Sequence, residues 1–223
     1  MTQIEIELQQ LKDEVRKMWE LVSSQMVKSR QALLGFDKDL AREIVSKEKR
    51  VNGSELKIDT DCENLFALHS PVAIDLRFVL AVLKINSNLE RIGDIAEGIA
   101  KHIIYAEHNF KPELLNETKL LEMYQVSIDM LNDSLISFET EDTFLARTIF
   151  TKDDILDDIN AKANDNLKRY LKTYPDDIDH ALYALSIIRK LERVGDQAKN
   201  ISEEIIFYLE AKVLKHSRKK KIE

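Results

Sequence analysis

The segment Leu89-Glu90-Arg91-Ile92-Gly93-Asp94-Ile95-Ala96 returns 102 residues later as Leu191-Glu192-Arg193-Val194-Gly195-Asp196-Gln197-Ala198, with six of eight positions identical. The apolar positions around the two copies match at the same offset. Val82, Ile85, Leu89, Ile92, Ala96, Ile99 and Ile103 align with Ala184, Ile187, Leu191, Val194, Ala198, Ile201 and Ile205. Each step is three or four residues, the period of a helix with one buried face. Upstream, Leu40-Ala41-Arg42 matches Leu145-Ala146-Arg147 at a slightly larger offset. A chain that repeats itself in this way folds as two copies of one supersecondary unit.

The rest of the pattern fills out that unit with helices. Residues 2–34 carry a seam of Ile4, Leu8, Leu11, Val15, Met18, Val22 and Met26, with Gly35 placed as a C-terminal cap just past the end. A second helix starts near Asp37, carries Leu40, Ile44, Val51, Leu56 and Ile58 on its apolar side, and stops at Ser70-Pro71. The third covers 71–108, and residues 109–112 form the linker. Helices over 113–138, 141–172 and 175–215 repeat the plan. With Gly 5 and Pro 3 in 223 residues, the turn residues that an all-β fold needs are missing. The predicted fold class is therefore all-α: two tandem, pseudo-symmetric three-helix bundles over 1–108 and 112–214, followed by a basic tail at 215–223.

Composition narrows the function. The chain is 33% charged, no apolar run reaches the ~18 residues of a spanning helix, and the polar N-terminus is not a secretory signal. One cysteine, Cys62, excludes an internal disulfide framework and suits a small buried side chain. A net charge of −7 argues against general nucleic-acid binding. These features predict a soluble cytoplasmic protein. The basic residues from Lys212 to Lys221 offer a peripheral contact with an anionic membrane surface, or simply a solvated end.

The repeated motif carries two local penalties. Glu90 and Asp94, one turn apart, repel by about a few tenths of a kcal/mol, and Gly93 costs up to about 1 kcal/mol against alanine. Both recur at Glu192, Gly195 and Asp196. Glycine admits close approach of a helix or a ligand, and carboxylates at one-turn spacing can clasp a hard cation. A solvated face, or neutralisation by neighbouring Arg and Lys, is the plainer alternative. Glu97 extends the acidic stripe in the first half, and Asn200, Glu203 and Glu204 in the second.

With its paired LERxGD segments, its two-fold repeat, its length and the stretch Ser70-Pro71 to Asp75-Leu76-Arg77, the chain resembles the PhoU family of phosphate-transport accessory proteins over about residues 10–212. The resemblance implies two similar three-helix bundles whose E/D-x-x-x-D motifs bind metal ions. It further implies homodimers and a negative regulator that couples the ATPase subunit of a phosphate ABC transporter to a sensor histidine kinase. Carried over, the first metal site uses Glu90 and Asp94 with Glu55 and Asp59 from the second helix, and Asn52 can add a carbonyl oxygen. The second uses Glu192 and Asp196. Its facing helix departs from the pattern, because Asn160 and Asn164 stand opposite Glu55 and Asp59 in the alignment. Asp157, aligned with Asn52, is the expected substitute, with Asp153 and Asp158 nearby, and the second site is expected to be the weaker. Iron, manganese, magnesium, calcium and zinc all suit such oxygen donors.

The expected function is thus a non-enzymatic adaptor in phosphate-starvation signalling. A metal-dependent carboxylate-bundle enzyme is the alternative, and a purely structural dimerisation module a third. The five histidines form no HExxH, and Asp177-x-x-His180 is the nearest approach to the Glu-x-x-His of a di-iron oxidase. No glycine-rich phosphate loop occurs. Arg77 beside Asp75 reads as a local ion pair, and Met18 and Trp19 read as packing.

Overall fold

The computed structural model describes residues 2–214. Its helices are α1 (Gln3–Gly35), α2 (Lys38–His69), α3 (Ala73–Tyr105), the short α4 (Pro112–Glu117), α5 (Leu120–Thr140), α6 (Thr143–Thr173) and α7 (Ile178–Glu210). No strand occurs among the described residues, and none of their helices is long and apolar enough to cross a membrane. α1, α2 and α3 pack on one another, as do α5, α6 and α7, which makes two three-helix bundles. The basic tail expected at 215–223 lies outside the described residues.

The duplication is visible at the helix starts. Asp37 caps α2 by accepting from the Asp39 and Leu40 amides at 3.0 and 2.9 Å. Asp142 caps α6 in the same way, from Phe144 and Leu145 at 2.8 and 3.0 Å. Each cap satisfies amides that have no partner within the helix. The ends follow a different rule. Gly35 is the last residue of α1, not the residue beyond it, and the left-handed conformation falls on Phe36 (φ 48°). Ser70, Lys119, Glu141 and Ala211 also adopt positive φ without being glycine. The helix expected over 113–138 is broken at Thr118-Lys119, where the Thr118 hydroxyl donates to the Leu114 carbonyl at 2.7 Å and Lys119 turns left-handed. The last helix stops at Glu210, short of the expected 215.

α3 and α7 join the bundles. They lie antiparallel, and their contacts step along both helices in constant register. The Lys84 ammonium donates to Glu204 at 3.0 Å, the Asn200 amide to Asn88 at 3.4 Å, and His102 meets the Ser186 hydroxyl at 2.8 Å. Between these, Gly98 sits against Lys190, which would lie 2.6 Å from a Cβ built on the glycine. Adding the repeat offset exchanges the Lys84–Glu204 and His102–Ser186 contacts, so a pseudo-dyad runs through the α3–α7 interface. Glu204 and Asn200 therefore belong to this interface and not to an acidic stripe. Arg77 does not pair locally with Asp75; its Nε donates to the Tyr208 carbonyl at 3.1 Å. The core continues across the halves at one end, where Trp19 of α1 packs on Phe138 and donates to the Leu131 carbonyl of α5 at 3.2 Å. Every seam residue of α3 and α7 named above is buried, whereas Leu56 of α2 is 67% exposed and lies off the core.

The two motif glycines are places of close approach. A Cβ at Gly93 would meet Val51 Cγ1 at 3.1 Å and the Glu48 carboxylate at 3.2 and 3.3 Å; at Gly195 it would clash with Leu156 Cδ1 and meet Asp153 Oδ1 at 3.2 Å. Gly53, in the exposed middle of α2, has nothing within 4 Å. Urea denaturation should therefore separate the glycines. Gly53→Ala is expected to stabilise by about 0.5–1 kcal/mol through helix propensity. Gly195→Ala is expected to destabilise by about 1 kcal/mol net, since overpacking at about 1–3 kcal/mol outweighs that gain.

Candidate functional site

At the centre of the α2–α3 contact lies a residue that the motif does not include. Glu48 occupies the seam of α2 between Ile44 and Val51 and is 6% exposed. Gln25 of α1 donates to its Oε2 at 3.4 Å, while Oε1 is buried with no hydrogen-bond partner. The carboxyl is pushed up to about 7, first by burial, then by Asp94, with Glu97 and Glu90 adding to the effect against the Gln25 hydrogen bond. The glycine at 93 is what lets α2 bring this carboxylate so close to the motif.

Near Glu48 the expected ligands lie spread along the α2–α3 groove, no three of them with carboxylate oxygens within 4.8 Å of one another: Asp94, Glu97 and Glu90 act on Glu48, while Glu55 and Asp59 stand further along α2. Glu55 is raised above the ordinary carboxylate range by burial and by the charges of Asp59 and Asp94. Glu90 is raised by burial, Asp94 and Glu55, with Arg91 opposing. Glu55, Asp59 and Glu90 are half-buried and Asp94 is exposed, so the group opens outward from the α2–α3 groove. Asn86 of α3, fully buried, fixes the α2 side by donating to the Glu55 carbonyl and to Asp59 Oδ1, both at 2.9 Å. Asn52 is exposed on α2. Glu97 lies at the edge, held by Lys101 at 2.6 Å.

The second half builds the same groove with a different charge balance. Asp153 of α6 is 3% exposed and takes the place of Glu48, between Ile149 and Leu156. Its Oδ2 accepts from Lys199 at 2.5 Å, and its Oδ1 is buried without a hydrogen-bond partner. Lys199 stands where the first half has Glu97. Glu192 is raised by burial and by Asp196, Asp157 and Asp153. Asp196 is raised by burial and Asp153, lowered by Lys199, and raised again by Asp157. Asp157 therefore lies close enough to act on both motif carboxylates. Asp158 instead pairs with Lys162 at 2.7 Å on the exposed side. Asn164 is exposed, and the position equivalent to Asn86 is the buried Ile188, so the amide bracket of the first half is lost.

The first groove is the more acidic of the two, though its side chains would have to close in to share one ion, since no three of them bring oxygens within 4.8 Å of one another. It offers several carboxylates that raise one another's proton affinity, together with a buried orphan oxygen. The second carries its own positive charge in Lys199 and has fewer carboxylates. Sequence reasoning missed Glu48, although an acidic residue at a seam position, aligned with Asp153 in the other repeat, was a readable signal. Cys62 is buried, and burial beside Asp59, Asp61 and Glu63 pushes its thiol up to about 12, which disfavours the thiolate.

The comparisons agree with this architecture. The PhoU domain family model matches twice, over residues 15–103 and 120–205. The phosphate-specific transport system accessory protein PhoU homolog of Aquifex aeolicus is 34% identical over 211 residues, 94% of each chain. PhoU of Escherichia coli is 31% identical over 214 residues, 96% of this chain and 88% of that protein. The crystal structure of PhoU from Pseudomonas aeruginosa superposes with a TM-score of 0.88 at 29% identity, covering 94% of this chain and all of that one. The phosphate transport system regulatory protein PhoU from Streptococcus pneumoniae gives a TM-score of 0.83 at 30% identity, covering 95% and 99%. The chain belongs to the PhoU family.

Proposed function

We propose that this protein is a cation-loaded, non-enzymatic regulator of phosphate uptake, an adaptor between the ATPase subunit of a phosphate ABC transporter and a sensor histidine kinase. The regulatory part of this reading is supported by the names of its relatives, which are accessory or regulatory proteins of phosphate transport. The cation part rests on one observation: Glu48, buried among like charges with an unpartnered oxygen. A protein that encloses so much negative charge is relieved by a bound cation, and hard oxygen donors select ions such as manganese, iron, magnesium or calcium over ions that prefer thiolate.

On this reading Glu48, Glu55, Asp59, Glu90 and Asp94 form the main site. Asp153, Asp157, Glu192 and Asp196 form a second, weaker one, with Lys199 competing for the same carboxylates. The ion bridges α2 to α3 and cancels their repulsion, so metal loading sets the shape and charge of the face offered to partners. An adaptor of this kind signals through the partner conformation it binds more tightly, since only differential affinity shifts an equilibrium. Homodimerisation and peripheral membrane contact belong to the same proposal.

Two measurements follow. Elemental analysis of chelator-free protein should find metal that Glu90→Ala/Asp94→Ala removes; Glu192→Ala/Asp196→Ala should remove less. In a deletion strain the first variant should fail to repress phosphate-starvation genes. Normal repression by that variant would remove metal from the mechanism, and failure of the wild type to repress would remove the adaptor reading.

The second concerns pH. Because the folded-state pKa of Glu48 lies above the ordinary 4.5, the folded protein holds a proton that the unfolded chain gives up. Stability of the metal-stripped protein should be full below about pH 4.5 and fall as pH rises through about 7, with Glu55 and Glu90 acting in the same sense. Glu48→Gln should flatten this slope and stabilise the stripped protein by about 2–3 kcal/mol at pH 8 in urea titrations. An unchanged slope would contradict the assignment.

A further inference from the structure

His108, in the connection between the halves, stacks on His180 at the start of α7, with ring centroids 3.7 Å apart. Asp177 lies beside both, 4% exposed. Its Oδ2 is engaged: the Tyr170 hydroxyl donates to it, and the Lys111 ammonium lies 3.6 Å away. Its Oδ1 is buried with no hydrogen-bond partner. That oxygen lies 3.4 Å from His180 Nδ1 and 3.7 Å from His108 Nε2.

The other ring nitrogens decide what faces it. His180 Nε2 lies 2.9 Å from the His108 carbonyl, and His108 Nδ1 lies 3.0 Å from the Asn109 carbonyl. A carbonyl only accepts, so each of these nitrogens carries its hydrogen and donates. In the neutral rings the bare lone pairs are then on His180 Nδ1 and His108 Nε2, and both face the unpartnered oxygen. Three acceptors this close repel unless a proton on one ring or a metal ion relieves them, and because the rings stack with their lone pairs in parallel planes, His108 must turn for both rings to reach one ion. Metal-bound histidines are held in this manner, with the second N–H donated to a carbonyl. The spacing fits as well: bonds of about 2.0–2.1 Å in a tetrahedron set the ligand atoms about 3.3–3.5 Å apart. All three ligand atoms lie within 4.8 Å of one another, and exposed His108 can rotate to complete the fit.

The geometry points to a second kind of metal site in this protein: a divalent transition metal of the zinc class, held by His108 Nε2, Asp177 Oδ1 and His180 Nδ1, with a fourth position open to solvent. It differs from the carboxylate grooves in its nitrogen donors, which favour zinc, cobalt or nickel over magnesium and calcium. It staples the connection between the bundles to the turn between α6 and α7, where α3 ends beside the start of α7.

Cobalt(II) distinguishes the two kinds of site, because tetrahedral nitrogen-bearing sites absorb visible light far more strongly than octahedral oxygen sites. Chelator-stripped wild type titrated with cobalt should develop an intense visible band that saturates at one equivalent and is displaced by zinc. The band should persist in Glu90→Ala/Asp94→Ala, and its apparent affinity should fall at least tenfold in His108→Ala, a substitution at an exposed position. No intense band in the wild type, a band undiminished in His108→Ala, or a band lost in Glu90→Ala/Asp94→Ala would each overturn the proposal.

Discussion

The antiparallel pairing of α3 with α7 is the constraint on which the rest of the molecule depends. Each helix buries one side against its own α1–α2 or α5–α6 pair and another against its repeat. The register, marked by Lys84 with Glu204 and His102 with Ser186, sets the pseudo-dyad. It keeps the motif carboxylates at the α2 and α6 contacts, since the α3–α7 face is taken by Lys84, Asn88, Gly98 and His102 against Glu204, Asn200, Lys190 and Ser186. It also brings the end of α3 beside the start of α7, which is why His108 and His180 meet across many residues of sequence.

Within that symmetry the charge is not symmetric. Duplication supplied each half with a glycine that admits a neighbouring helix and with an acidic residue in the seam facing it, Glu48 or Asp153. The halves then diverged in the groove, where Glu55 corresponds to Asn160 and Asn52 to Asp157, and three further differences act together. Glu97 corresponds to Lys199, Asp59 to Asn164, and Asn86 to Ile188. Each change moves the second half away from a cation site: one adds an internal ammonium, one removes a carboxylate, and one removes the amide that fixed it. A buried carboxylate needs compensation, from an ion or from a side chain. The second half uses a side chain, Lys199 on Asp153, and an ion is what we propose for the first.

Much of this was legible in the sequence because helical periodicity and internal repetition are both one-dimensional signals. The seams of α3 and α7 are buried residue for residue as the spacing indicated, and the duplicated LERxGD marked the right faces. Helix ends were less legible. Phe36, Ser70, Lys119, Glu141 and Ala211 adopt left-handed geometry where glycine would be expected; at Phe36, Glu141 and Ala211 the backbone N–H bonds back to the last helical turn, which propensity does not record. The break at Thr118-Lys119 carried no turn residue at all. At the site, spacing within one helix singled out Glu90–Asp94 and Glu192–Asp196 as candidates, the family resemblance added Glu55 and Asp59, and alignment of the repeats added Asp157. Glu48 was hidden because it sits in a seam that reads as core. Which acidic residues belong together across helices is a matter of packing, and this is why Glu204 and Asn200 were assigned to a stripe and turned out to hold the interface.

The central claim is that the two grooves are unequal, the first needing a cation and the second carrying its own. Anomalous diffraction from crystals of the protein soaked in manganese tests it directly. The account predicts a strong peak beside Glu48, Glu55, Glu90 and Asp94 and little or none beside Asp153 and Asp196, where Lys199 keeps its ion pair. Peaks of equal height in both grooves, or a peak only in the second, would contradict it.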